Sequence, residues 1–350
     1  MRNGISVYAG LNYELEENIS LIEAAADLGL SRLFTSANIP ETANDEKFFD
    51  DFATILTTAV ENNFEIILDV SPATFSDFEL ENLTLRLDDG FSVPEIAELS
   101  RERKIQLNAS TITVEVLQYL QVAGANFGNI SALHNFYPHL LTGLDTYFFE
   151  TQNKMLHDFG IESGAFVPSL EGRRRPPLYE GLPTLEDCRN FSTDLSARFL
   201  AAIGADFIII GDGLPTVEEV EAVSKIADDE IILSTKLFTE DTTTIELLQN
   251  KFTRRPDVAK SVIRAVEGRQ FLKSSGGKIF ADNLPIERTF GDITVDNENF
   301  GRYEGEVQIV EDILPADSRV NVVAAVVEEE NFLTRYIKPG QKFSFRFVTN

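Results

Sequence analysis

The stretch ADFIIIGDG, residues 205–213, decides the fold. Phe207 to Ile210 are apolar and mostly β-branched, and Gly211, Asp212 and Gly213 end the run with turn chemistry, so it reads as a strand. Working back along the chain, seven earlier runs have the same texture: GISVY (4–8), RLFTS (32–36), EIILDVS (65–71), TLRLDD (84–89), KIQLNAS (104–110), FGNISALHNF (127–136) and ESGAFVPS (162–169). Between them lie stretches with helical spacing. Leu15, Ile19, Ile22 and Ala26 fall on one face, and Phe48, Phe52, Ile55 and Ala59 on another. Phe191, Leu195, Phe199 and Ala202 repeat the pattern before the last strand, and Val217, Val220, Val223 and Ile226 repeat it after. Only the connection PATFSDFELENL, between the third and fourth runs, is too irregular for a full helix. Eight β/α units predict an α/β fold, a (β/α)8 TIM barrel over residues 1–230, since such barrels take about 250 residues. A doubly wound sheet is the rival, but the first strand runs into YAGLNYELEEN with no G-x-G-x-x-G, and no P-loop follows elsewhere. From residue 231 the texture changes to IILSTKLF, GDITVDN, GRYEGEVQIV, RVNVVAAVVE and KFSFRFV, predicting a smaller, mainly β domain over 231–350 with one helix near 257–269.

Charge narrows the function. The 350 residues carry 57 Asp and Glu against 30 Lys and Arg, a formal net charge of -27. Nucleic acids and anionic membrane surfaces need a basic footprint, so neither is an expected partner. The N-terminus lacks a sustained apolar segment and no later run is long enough to span a bilayer, which predicts a soluble, cytoplasmic protein. One cysteine, Cys188, excludes an intramolecular disulfide framework.

In a barrel of this kind, chemistry belongs at the C-terminal ends of the strands. The residues there are Tyr8, Ser36, Asp69, Asp88 and Asp89, Asn108 and Ser110, His134 with Asn135 and Tyr137, Glu171 and Glu180, and Asp212. Carboxylates, amides and aromatics in a ring suit carbohydrate: acids supply proton transfer or nucleophile, and the rest hold hydroxyls and sugar faces. Asp and Asn after strands are also ordinary turn and cap residues, a role that weighs equally for Asp212. The loop after the seventh strand, PSLEGRRRPPLYEGLPTLE (168–186), gathers Arg173, Arg174 and Arg175 in an otherwise acidic chain. A guanidinium fork matches phosphate or carboxylate, so Arg173 and Arg175 are candidate anion ligands, against the plain alternative of solvating the loop. In the same loop, Thr184 and Asp187 read as a capping box variant opening the next helix. Other motifs do not accumulate. His134, His139 and His157 show no ligand spacing, so neither metal nor cofactor is expected; Cys188 reads as a buried small hydrophobe, GGK at 276–278 as a turn, and no strand end carries a Schiff-base lysine.

GISVY, RLFTS, RLDDGF, HNFYP followed by TGLD, PLYEGLPTLE, and later ERTFGDITVDN with RYEGE together resemble the MupG-type 6-phospho-N-acetylmuramidase family of bacteria over nearly the whole chain. The resemblance implies a TIM barrel followed by a cyclophilin-like domain. It also implies a cytoplasmic glycosidase of cell-wall recycling whose partner is a phosphorylated amino-sugar disaccharide, split into 6-phospho-MurNAc and GlcNAc. The family pattern in the seventh loop has one Arg followed by Gly-Pro, and here Arg175-Pro176-Pro177 stands in its place, so Arg175 carries over while Arg173 rests on the charge argument alone. A glycosidic bond needs two carboxyl groups, and the candidates are Asp69, Asp88, Glu180 and Asp212. A separation of ~5 Å would mean retention and ~6.5–9.5 Å inversion. Tyr8, Asn108, Asn135 and Tyr137 are candidates for holding the sugar, and Arg288 and Asp292 for extending the site. A phosphosugar isomerase or lyase on the same barrel, or a sugar-phosphate binding protein without catalysis, are the alternatives.

Overall fold

In the computed structural model, which describes residues 1–11, 13–36, 48–72, 83–87, 90–227 and 229–348, the apolar runs become parallel strands. They are β1 (Gly4–Ser6), β2 (Arg32–Ser36), β3 (Glu65–Val70), β4 (Leu83–Leu87), β5 (Ile105–Asn108), β6 (Ile130–Leu133), β7 (Glu162–Val167) and β8 (Phe207–Ile210). They pair in sequence order, and β1 pairs with both β2 and β8, which closes the barrel. Parallel neighbours need a crossover, and the helical stretches supply it. These are α1 (Leu15–Asp27), α2 (Phe48–Glu61), α3 (Val93–Glu102), α4 (Val114–Val122), α5 (Thr146–Asp158), α6 (Thr193–Ala202) and α7 (Val217–Ser224). Residues 73–82, in the connection judged irregular, lie outside the described residues.

Helix faces follow the apolar pattern with informative exceptions. On α2 the expected Phe48, Phe52, Ile55 and Ala59 are all buried. On α1 the buried stripe is Asn18, Leu21, Ile22 and Ala25, one residue round from the expected face. The Asn18 amide donates to the Tyr8 carbonyl at 3.0 Å, and satisfying that buried backbone group turns a polar residue inward. Val217, expected on the buried face of α7, is exposed at its first position, while Val220 and Val223 are buried. Thr184 does not cap a helix. Its hydroxyl accepts from Phe166 N–H and donates to the Asn135 carbonyl, both at 2.9 Å, tying β7 to the loop after β6. Ser192 caps α6 instead.

The chain divides into two compact units, Met1–Ile226 and Ala227–Asn350. The second is a seven-stranded mixed sheet of β9 (Glu230–Leu237), β10 (Phe252–Thr253), β11 (Val262–Arg264), β12 (Asp292–Asp296), β13 (Val307–Val310), β14 (Val320–Val326) and β15 (Lys342–Phe347), in the order β10-β15-β9-β14-β12-β13-β11. Its helices are α8 (Thr242–Leu248) and α9 (Gly268–Ser275). The single helix expected near 257–269 is thus overturned: residues 262–264 pair with β13 as a strand, and the helix starts at Gly268. The short apolar run SVIRAV satisfies both periods, and pairing decides it. Gly276 at φ +68° closes α9, so GGK is the expected turn.

Two buried titrating groups give the units opposite responses to acid. His134 is wholly buried; Ser110 Oγ lies 3.3 Å from its Nδ1 and Asn153 Oδ1 3.0 Å from its Nε2, a pattern that a neutral ring satisfies. Burial pushes its pKa down to about 4. The unfolded chain takes up that proton near 6.5 and the folded barrel resists it, so barrel stability is full above pH 6.5 and falls between 6.5 and 4. At 1.36 kcal/mol per unit the loss is about 3 kcal/mol. In the second unit, burial and the neighbouring Glu306 and Asp317 push Asp296 up to about 7. There the folded form keeps a proton that the unfolded form releases near 3.8, so its contribution falls as pH rises from about 4 to about 7. Denaturation across pH 5–8 should therefore show His134→Gln flattening the acid-side loss and Asp296→Asn stabilising more at pH 8 than at pH 5. Identical pH slopes in wild type and both variants would refute the assignment.

Candidate active site

The C-terminal ends of the strands surround a cavity of about 210 Å³ lined by Tyr8, Phe34, Ser36, Asp69, Arg86, Asn135, Phe136, Phe166 and Arg175. Alternation along a strand explains the lining. In β4, Leu85 and Leu87 flank Arg86, and a residue of opposite orientation to its neighbours enters the barrel. The side chain of Arg86 is 6% exposed; it donates to Asp69 Oδ1 at 2.9 Å and to Asn135 Oδ1 at 2.5 Å. Ser36 Oγ donates to Asp69 Oδ2 at 3.2 Å. Asp69 is thereby oriented by its neighbours on both flanking strands, and it is the cavity's one carboxylate among the described residues.

Aromatic rings form the apolar part of the wall. Phe166 lies edge-on to Phe34 and to Phe136, each at 5.1 Å between centroids. Tyr8 is buried, its hydroxyl donating to the Gly211 carbonyl at 2.9 Å, and burial pushes the phenol up to about 12 against the pull of Arg175. The Arg175 guanidinium sits 4.7 Å from the Tyr8 ring centroid and 5.8 Å from that of Phe136. Its Nε is buried with no hydrogen-bond partner. A guanidinium held over aromatic faces with an unused donor is poised for an oxyanion.

The arginine loop is clamped from below by two carboxylates. Asp212 is fully buried and accepts from the backbone N–H of Ser169 and Arg175 at 2.9 Å and of Leu182 at 3.3 Å. Burial pushes its pKa up, while these hydrogen bonds oppose the shift. Glu219, at the start of α7, accepts from Ser169 Oγ and Leu170 N–H at 2.7 Å, Glu171 N–H at 3.0 Å and Thr193 Oγ1 at 2.6 Å. A third anchor is Arg189, wholly buried, which pairs with Glu186 at 2.6 Å and donates to the carbonyls of Tyr137, His139 and Glu180. Its hydrogen bonds hold the Glu186 carboxyl down to about 2.

The sequence-derived candidates separate accordingly. Asp69, Tyr8, Asn135 and Arg175 meet in the cavity. Asp212 lies beneath the loop, Glu180 is exposed on it, and Asp88 lies outside the described residues, as does Asp89. Arg173 is drawn away into a two-pronged pair with Glu17, at 2.6 and 3.0 Å. Arg174 donates to the Ser169 carbonyl at 3.0 Å. Asn108 closes its own turn by accepting from Ser110 N–H at 3.0 Å, and Tyr137 is half-buried beside the cavity-lining Phe136. In the second unit, Arg288 donates to the Pro315 carbonyl, 27 residues away, and Asp292 accepts from Thr289 in a local turn. Cys188 is buried with its thiol pushed up to about 12 by burial, which suits packing rather than nucleophilic attack. Sequence reasoning missed Arg86, Phe34, Phe136 and Phe166. The signal for Arg86 was present, a lone cation inside an apolar strand.

Residues 3–225 match the family model described as 6-phospho-N-acetylmuramidase, N-terminal, and residues 231–346 match its C-terminal counterpart. Among solved structures, an uncharacterized B. cereus protein is 31% identical over 99% of both chains, with a TM-score of 0.87. A conserved protein of unknown function from Enterococcus faecalis is 29% identical, covering 99% of this chain and 96% of that one, with a TM-score of 0.70. No curated protein matches the sequence. With both halves of the chain matched in order, the protein belongs to the 6-phospho-N-acetylmuramidase family and is a glycoside hydrolase.

Proposed function

We propose that the barrel hydrolyses 6-phospho-N-acetylmuramyl-N-acetylglucosamine to 6-phospho-MurNAc and GlcNAc, in the cytoplasm, as a step of peptidoglycan recycling. The observation that carries this reading is one carboxylate and two guanidinium groups facing a single cavity walled by aromatic rings. Asp69 takes the ionised role, nucleophile or base, a role suited to a carboxylate paired with Arg86 and steadied by Ser36. The acid partner is drawn from Asp88 and Glu180. Arg175 receives the 6-phosphate or the lactyl carboxylate, its unused Nε–H supplying a charge-assisted hydrogen bond. Tyr8 and Asn135 position the ring, and Phe34, Phe136 and Phe166 offer it an apolar face.

The test is GlcNAc release, followed by mass spectrometry, from MurNAc-GlcNAc with and without the 6-phosphate. Cleavage of the phosphorylated form alone is expected. In Arg175→Ala, KM for that substrate should rise about 10- to 100-fold, the equivalent of roughly 1.5–3 kcal/mol for a hydrogen bond to a charged group. Equal KM values would remove Arg175 from anion binding, and no cleavage of either disaccharide would favour the isomerase or binding-protein readings.

A further inference from the structure

The second unit carries a groove of about 960 Å³ formed by the exposed face of α9 and the turn at 301–304. Arg269, Lys273 and Arg302 line it, with Gln270 and Ser274 beside them. In a chain with nearly two acids per base, cations normally find carboxylate partners, and these three are poorly served. Arg302 donates to the Tyr303 hydroxyl at 2.8 Å rather than to an acid. Arg269 reaches Glu306 only at 3.6 Å, and no ion pair joins Lys273 to a carboxylate among the described residues. Among the described residues the one acid on the wall, Glu304, is engaged by accepting from Ile279 N–H at 2.9 Å. Both guanidinium groups lie against Tyr303, at 4.9 and 5.6 Å from its ring centroid. Gly301, at φ +58° and ψ −114°, sets the turn that carries Arg302 and Tyr303 into this arrangement, a backbone state that side-chain-bearing residues rarely adopt.

We propose that this groove is a second ligand site, independent of the barrel cavity, that takes a phosphorylated sugar. The three cations meet the phosphate, and Gln270 and Ser274 supply hydrogen bonds to hydroxyls. The volume is at the upper end for small-molecule sites, so a sugar phosphate fits with room for a further ring. Local charge matters here because a formal net charge of -27 opposes anion binding wherever cations are not gathered.

Hydrogen exchange on the full chain locates binding without reference to activity. Glucose 6-phosphate should protect residues 268–275 and 298–304 saturably in wild type and equally in Arg175→Ala, which separates this site from the barrel. Arg269→Ala/Arg302→Ala should weaken that protection at least about tenfold, and Lys273→Glu should do so while keeping both arginines. Neither variant touches the barrel residues, so GlcNAc release should persist. Absence of protection, or protection unchanged in both variants, would overturn the site. Inorganic phosphate protecting as strongly as glucose 6-phosphate would overturn the sugar assignment.

Discussion

Asp69→Asn should lower kcat for GlcNAc release by about a thousandfold or more while leaving KM within a few-fold. Catalytic carboxylates act through charge or proton transfer, which are worth roughly 10²- to 10⁴-fold and which an amide cannot supply. The substitution keeps the shape and an acceptor oxygen for the 2.9 Å bond from Arg86, so the arginine is not left without a partner. That separates chemistry from folding. Arg86→Met is the contrasting case, in which Asp69 and Asn135 both lose a donor and the site loses its order. If Asp69→Asn retained activity within tenfold of wild type, the carboxylate in the cavity would be a structural ion-pair partner and the reacting pair would have to be sought among Asp88, Glu180 and Asp212.

Asp212→Ala is expected to act on stability instead. The truncation removes the acceptor of three backbone N–H groups in a fully buried setting, those of Ser169, Arg175 and Leu182. Each buried donor left unpaired costs about 1–3 kcal/mol, so three of them cost of order 3–9 kcal/mol against a typical folding free energy of 5–15 kcal/mol. Urea unfolding should show the barrel transition at much lower denaturant, with Asp212→Asn falling between the two because one acceptor oxygen survives. KM should rise with the loss of loop order, since Arg175 hangs from the same clamp. A variant as stable as wild type but without turnover would instead make Asp212 one of the reacting carboxyls.

Within the candidate site, the sequence was most legible where one residue serves one strand. Asp69 is the penultimate residue of β3 and Tyr8 follows β1, so both could be placed at the mouth from the apolar runs alone. Arg173 could not be separated from Arg175, because neighbours in a loop differ only in what they meet. Glu17, on α1 and 156 residues away, captures one; Asp212, through the backbone of the other, aims it at Tyr8. Arg86 was passed over because strand alternation says which side a residue faces only once the barrel is closed.

The sequence by itself determined the number and order of the barrel strands, since β-branched runs separated by amphipathic helices have few ways to bury both faces of a parallel sheet. It also determined the family, through long motifs spread over both halves. Tertiary structure alone decided which carboxylates line the cavity and which hold the backbone. Asp69 and Asp212 both follow apolar strands and look alike in the sequence. They differ because Asp69 meets a guanidinium at the edge of a cavity, whereas Asp212 meets three N–H groups under a loop, and those partners come from residues up to 43 positions away. Local pattern sets which residues can form a strand, and long-range pairing sets what its last residue does.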